Sequence, residues 1–148
     1  MSSLTNILLV EDNEDDYEAA VRSLKKNHFA NPVQWCRNGQ DGLDYLQRAG
    51  KYANNNTPLP GLILLDLNMP GIDGRQMLQK LKEDQALRAI PVVVLTTSSD
   101  SRDIEQCYQL GANTYIQKPV SFEGLVEAIR TMKEYWFGIA LLPGQKDK

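Results

Sequence analysis

Short apolar runs alternate with longer amphipathic segments along the chain, and this alternation limits the folds that it can adopt. Two runs, Leu62 to Leu65 and Val92 to Leu95, are apolar at every position rather than at every second one. Continuous runs of this kind are typical of parallel strands whose two faces are both covered by helices. The pattern predicts strands at about residues 5–10, 32–36, 61–66, 91–96 and 113–117.

The segments between the predicted strands carry apolar residues at helical spacing, as Ala19, Ala20 and Leu24 do in the first of them. Helices are predicted at about residues 14–28, 40–49, 73–83, 101–110 and 121–137. Strand and helix thus alternate five times. This order predicts an α/β fold, a doubly wound parallel sheet with helices on both faces.

The size and charge of the chain restrict the class of protein to which it can belong. Its 148 residues predict a single domain over residues 1–148, and the net charge of -3 gives no electrostatic reason to expect nucleic-acid binding. The first apolar run ends at Glu11 after four residues, which argues against a signal peptide or membrane span there. We expect a cytoplasmic protein in which Cys36 and Cys107 are reduced.

Polar residues follow several of the predicted strands at the point where each strand ends. Glu11 and Asp12 follow the first strand, Asp66 the third, while Thr96 ends the fourth and Lys118 follows the fifth. Because ligands bind beyond the carboxyl ends of parallel strands, these groups are expected to meet at one edge. Carboxylates crowded together need a cation, and the sequence therefore predicts a Mg²⁺ site. The alternative is a solvated acidic edge.

These residues belong to an ordered set of motifs that resembles the receiver domain of two-component response regulators. The set comprises Glu11-Asp12, Leu65 to Gly74, Thr96, Leu110-Gly111-Ala112 and Tyr115 to Pro119. The resemblance covers about residues 5–130 and implies a flavodoxin-like sheet with strand order 2-1-3-4-5. Residues 131–148 are then a C-terminal extension of the last helix and a tail.

The resemblance implies that Asp66 is a phosphoacceptor, which takes a phosphoryl group from a phosphohistidine on a sensor histidine kinase. It also implies that Asp12, Asp66 and the backbone carbonyl of Asn68 bind Mg²⁺, with Glu11 acting through a water molecule. A carboxylate can attack phosphorus directly to give an acyl phosphate. Slow self-dephosphorylation is then the only catalysis expected.

Three further roles follow from the same resemblance. Lys118 would pair with a phosphoryl oxygen or with Asp66, aimed inward by a cis peptide before Pro119. Thr96 would donate its hydroxyl to the phosphoryl group, and Tyr115 would be an aromatic side chain that turns inward after phosphorylation. The alternatives are a solvated lysine, a threonine present for its β propensity and an ordinary rim tyrosine.

Two other functions are weighed against phosphorylation-controlled signalling. An aspartate-nucleophile phosphatase would need a general acid two residues beyond Asp66, where this chain has Asn68, which cannot protonate a leaving group. A pseudo-receiver scaffold is disfavoured because the set of expected residues is complete.

A narrower resemblance concerns the partners. The loop Gly50 to Pro60, the run Ile90 to Ser98 and the apolar ending Tyr135 to Pro143 resemble the small stand-alone regulators partnered with bacterial phytochrome kinases. The apolar ending either folds back over the domain or is buried in a partner, most specifically in a homodimer through the last helix.

Overall fold

The computed structural model describes residues 6–67, 73–97, 100–119 and 121–134. Its five strands form one parallel sheet in the order β2-β1-β3-β4-β5. The strands are β1 (Ile7–Val10), β2 (Val33–Cys36), β3 (Leu62–Leu65), β4 (Val92–Thr96) and β5 (Thr114–Gln117). The helices are α1 (Glu14–Lys26), α2 (Gly39–Gln47), α3 (Gly74–Glu83), α4 (Ser101–Gln109) and α5 (Phe122–Lys133). The predicted strand order and doubly wound topology are confirmed.

The sheet divides the hydrophobic core into two layers. On one face, side chains of the central strands pack with Leu43 of α2, Leu78 of α3 and Cys107 of α4. On the other face, they pack with Leu24 of α1 and Ile129 of α5. Every residue of β1, β3 and β4 is buried. Burial on both faces explains why the central strands have no polar residue at alternate positions.

Each α-helix begins at a side chain that caps its first turn. The caps are Asn13, Asn38, Asp73, Asp100 and Ser121, and each accepts a hydrogen bond from a backbone N–H two or three residues later. Such a cap typically stabilises a helix by about 1 kcal/mol. The caps lie in the loops that leave the carboxyl ends of the strands, so they also fix the geometry of that edge.

The predicted boundaries differ from the observed ones by a few residues. The first helix ends at Lys26, two residues earlier than predicted, because His28 adopts the left-handed conformation with φ 61°. The predicted loop Gly50 to Pro60 includes a short 3-10 helix, Gly50–Tyr52. The C-terminal extension from residue 135 onward lies outside the described residues. In the part of the chain that is described, no helix is long and apolar enough to cross a membrane.

Candidate functional site

The parallel pairing of β1 with β3 brings three carboxylates together. Val10 lies opposite Leu65 in the register, so the next residues, Glu11 and Asp66, leave the sheet side by side. The Asp66 N–H continues the ladder by donating to the Val10 carbonyl at 3.0 Å. Carboxylate oxygens of Glu11, Asp12 and Asp66 all lie within 4.8 Å of one another. The acidic cluster predicted from the sequence is therefore present.

The three acids differ in their exposure to solvent. Glu11 is 3% exposed and Asp66 is 8% exposed, whereas Asp12 is exposed. Burying a carboxylate is unfavourable unless a cation or hydrogen-bond donors compensate for the lost hydration. The cluster thus requires a positive partner.

Lys118 supplies that partner within the protein. Its Nζ lies 2.7 Å from Glu11 Oε1, 3.3 Å from Asp16 Oδ2 and 3.8 Å from Asp66 Oδ1. The lysine side chain is only 14% exposed, which argues against a simply solvated residue. Its shortest contact is with Glu11 rather than with Asp66. Asp16 was missed by the sequence analysis because an acid in the first turn of a helix is common for electrostatic reasons.

The surroundings of Glu11 and Lys118 shift the pKa of both side chains. Burial raises the pKa of Glu11 to about 7; the hydrogen bond from Lys118 opposes this rise and the charge of Asp66 adds to it. Burial alone lowers the pKa of Lys118, but the hydrogen bond to Glu11 and the charge of Asp66 outweigh that effect and leave the pKa raised. Lys118 is therefore held as an ammonium ion beside the acids.

The route by which Lys118 reaches the site differs from the expected one. No peptide bond among the described residues is cis, so the expected cis bond before Pro119 is not found. The Lys118 N–H instead donates to the Thr96 carbonyl at 2.6 Å, which extends the pairing of β4 with β5 by one residue. The long lysine side chain reaches the carboxylates from this position, and a trans bond is intrinsically preferred even before proline.

Thr96 and Tyr115 lie where the sequence places them. Thr96 is fully buried at the end of β4, whereas Thr97 beside it is exposed. Tyr115 on β5 is half-buried and packs against the core layer under α2 and α3. Its backbone N–H donates to the hydroxyl of Tyr108 at 3.1 Å. Thr96, and not Thr97, is therefore the threonine buried at the end of β4, and its role as a hydroxyl donor stays a prediction.

The site also depends on Gly74, and only the tertiary structure shows why this position requires a glycine. A Cβ atom on Gly74 would lie 2.3 Å from the carbonyl oxygen of Asp66 and 2.7 Å from the Cα of Leu67. The first turn of α3 therefore packs directly against the backbone of Asp66. Asn68, the expected carbonyl ligand, lies outside the described residues.

The donor atoms fit a hard divalent cation. Carboxylate oxygens are the ligands that Mg²⁺ and Mn²⁺ prefer. Both oxygens of Glu11 contact protein donors, because Oε1 accepts from Lys118 at 2.7 Å and Oε2 accepts from the Asn13 N–H at 3.3 Å. The Glu11 carboxylate is thus already hydrogen-bonded within the protein through both of its oxygens.

A doubly wound parallel sheet with an acid–lysine cluster at its carboxyl edge is typical of α/β domains that bind ligands at that edge. A family model described as the response regulator receiver domain matches residues 7–130. The chain therefore belongs to the response regulator receiver family.

Relatives of similar length support this assignment. The probable methanogenesis regulatory protein FilR2 of Methanothrix harundinacea is 41% identical over 93% of this chain and 87% of its own length. Response regulator Rcp1 of Synechocystis is 37% identical over 93% of this chain and 92% of its own length. The solved structure of the phosphorylated cyanobacterial phytochrome response regulator RcpA has a TM-score of 0.88 and 39% identity, over 95% of this chain and 99% of its own. Rcp1 has also been solved in a Mn²⁺-bound form, with a TM-score of 0.85 over 94% of this chain and 99% of its own.

Proposed function

We propose that the protein is a single-domain response regulator that accepts a phosphoryl group on Asp66 from a phosphohistidine of a sensor histidine kinase. The observation that carries this proposal is the convergence of Asp66 with Glu11, Asp12 and Lys118 at one edge of the sheet. Such a site has a nucleophile, ligands for a cation and a fixed ammonium group within a few ångströms. The output is a changed interaction surface.

The proposed transfer needs little from the protein beyond position and charge. A carboxylate oxygen of Asp66 attacks phosphorus, a P–O bond forms, and the bond between phosphorus and the histidine nitrogen breaks. The Lys118 ammonium, already 3.8 Å from Asp66 Oδ1, offsets negative charge on the phosphoryl oxygens. The buried Thr96 hydroxyl donates a hydrogen bond to the same group.

A Mg²⁺ ion is the proposed cofactor. Asp12, Asp66 and the backbone carbonyl of Asn68 would hold it, and Glu11 would act through a water molecule. When bound, it lowers the repulsion between the acceptor carboxylate and the incoming phosphoryl oxygens. The nature of the donors and the engagement of both Glu11 oxygens by protein groups support this division of roles.

The proposed signal is a shift between two packings. Thr96 and Lys118 are joined through the backbone by the 2.6 Å hydrogen bond between β4 and the residue after β5. Movement of either toward the phosphoryl group is therefore transmitted to β5, which carries the half-buried Tyr115. A new charge-assisted contact with the phosphoryl group shifts the equilibrium between the two packings by as much as that contact is stronger in one packing than in the other.

The kinase partner is proposed to be of the phytochrome type. The likeness to RcpA, whose solved structure is described as that of a cyanobacterial phytochrome response regulator, supports a phytochrome kinase as the partner. We further propose a cytoplasmic protein that binds neither nucleic acid nor membrane, and a homodimer formed through α5 and the extension after it. The alternative that the following experiment distinguishes is an unphosphorylated scaffold.

The proposal is tested by intact mass spectrometry after incubation with acetyl phosphate and Mg²⁺. Wild type is compared with Asp66→Asn, and Asp15→Asn serves as a matched control because Asp15 is an exposed acid in the first turn of α1. One phosphoryl adduct on wild type and on the control, but not on Asp66→Asn, supports the assignment. An adduct retained on Asp66→Asn overturns it. If wild type gains no phosphoryl adduct from acetyl phosphate or from a phosphorylated phytochrome kinase, the result favours an unphosphorylated scaffold.

A further inference from the structure

An indole lies directly beside residues 11–13, the acidic loop that follows β1. Trp35 of β2 pairs in register with Leu9 of β1, and its Nε1–H donates a hydrogen bond to the backbone carbonyl of Glu11 at 2.7 Å. That carbonyl belongs to the peptide group that joins Glu11 to Asp12. The bond therefore fixes the plane of the peptide from which Asp12 projects.

The indole is itself held by two neighbours. The ring of Tyr17 on α1 stacks on it, with centroids 3.8 Å apart and planes 8° apart. The guanidinium carbon of Arg37 lies 4.1 Å from the indole centroid, and Arg37 also pairs with Glu14 of α1 at 3.7 Å. Stacking and cation–π contacts restrict the orientation of the ring. The direction of the Trp35 N–H is therefore set by α1 as well as by β2.

The rest of the acidic loop is fixed in the same manner. The Glu11 N–H donates to the Cys36 carbonyl at 3.0 Å, and the Asn13 N–H donates to the Glu11 side chain at 3.3 Å. Hydrogen bonds thus hold the backbone before and after the peptide that Trp35 contacts. Asp12, the exposed acid in this segment, depends on that peptide for its position.

We propose that Trp35 is a positioning residue for the divalent-cation site. It acts through the backbone: its hydrogen bond orients the Glu11–Asp12 peptide so that Asp12 is presented beside Asp66. The inference rests on the proposed function, in that these acids bind a cation. Partners that orient the ligands of a metal typically change its affinity when they are removed.

The test is isothermal titration calorimetry of the full chain with MgCl₂. Trp35→Phe keeps an aromatic ring and removes the donor, so its dissociation constant for Mg²⁺ should rise about threefold to tenfold, the loss of one net hydrogen bond. Trp35→His is the rescue variant, because its Nε2 occupies the ring position that corresponds to the indole Nε1. It should bind Mg²⁺ nearly as wild type does. Tyr17→Phe keeps the stacked ring and should leave the affinity unchanged.

An unchanged affinity in Trp35→Phe would overturn the proposal, and so would an equal loss in Trp35→Phe and Trp35→His, which would indicate packing alone. Thermal melts confirm folding, and Trp35→Met replaces the phenylalanine variant if that variant does not fold. Labelling by acetyl phosphate gives a second readout. Trp35→Phe should need more Mg²⁺ for half-maximal labelling but reach the wild-type rate at saturation. Failure of the proposed phosphorylation would abolish labelling of wild type and leave the calorimetric comparison intact.

Discussion

The Lys118 ammonium lies 2.7 Å from a carboxylate oxygen of Glu11, although 107 residues separate the two in sequence. Glu11 is buried and the Lys118 side chain is 14% exposed, and the same ammonium is 3.8 Å from Asp66. Lys118 therefore places positive charge next to the two buried carboxylates of the cluster. A cation bound at the proposed site would share these carboxylates with the lysine.

Replacement of Lys118 by Met should separate metal binding from phosphorylation. Labelling by acetyl phosphate should slow by about a hundredfold, because a preorganised charge beside the reacting group is lost. The affinity for Mg²⁺ should be unchanged or higher, since a competing cation is removed. Labelling rates and calorimetry measure the two effects, with the exposed Lys80 of α3 replaced by Met as a control. A labelling rate equal to that of wild type would exclude the proposed role.

Replacement of Asp12 by Ala should weaken Mg²⁺ binding by more than about tenfold, because the exposed carboxylate of the cluster is removed. The matched control is Asp15→Ala, which removes an exposed acid from the first turn of α1. Calorimetry of both variants provides the comparison. If Asp12→Ala titrates as wild type does, Asp12 is not a ligand.

Replacement of Gly74 by Ala should destabilise the protein by about 1–3 kcal/mol, the usual penalty for overpacking. The added methyl group would meet the Asp66 carbonyl oxygen at 2.3 Å, so the backbone of the proposed phosphoacceptor must shift. Chemical denaturation measures the free energy of unfolding, and Gln79→Ala on the exposed side of α3 is the control. Equal denaturation midpoints for the two variants would show that α3 can move away from the Asp66 backbone without loss of stability.

The two cysteine thiols should resist modification in the folded protein. Burial raises the pKa of Cys36 to about 12, and burial also raises the pKa of Cys107. Only about one Cys36 thiol in ten thousand is then a reactive thiolate at pH 8. A chromogenic disulfide reagent should label neither thiol within minutes at pH 8 and both thiols in denaturant. Rapid labelling of the native protein would contradict the buried positions.

Removal of residues 135–148 should convert a dimer into a monomer if the extension after α5 forms the proposed interface. The sequence Tyr135-Trp136-Phe137 directly follows the helix, and aromatic side chains are typical anchors of interfaces. Sedimentation velocity of the full chain and of the shortened chain gives the comparison. A shortened chain that still sediments as a dimer would place the interface elsewhere.

Much of the fold was predictable from local pattern. The fully apolar runs of β3 and β4 and the helical spacing between strands identify every strand and α-helix of the described chain. Exact helix ends were less predictable. A positive φ is uncommon for any residue other than glycine, so the left-handed conformation of His28, which ends α1 early, could not be read from the pattern.

The sequence by itself determined the chemistry of the site, because in a parallel sheet the residues that follow Val10 and Leu65 must emerge at the same edge. Side-chain partners could not be read in this way. That Lys118 contacts Glu11 and Asp16 and that Trp35 holds the Glu11 carbonyl depend on distances between segments far apart in the chain. Only the tertiary structure decides such contacts, since they follow from the packing of α1, β2 and β5 around the strand ends and not from any local preference.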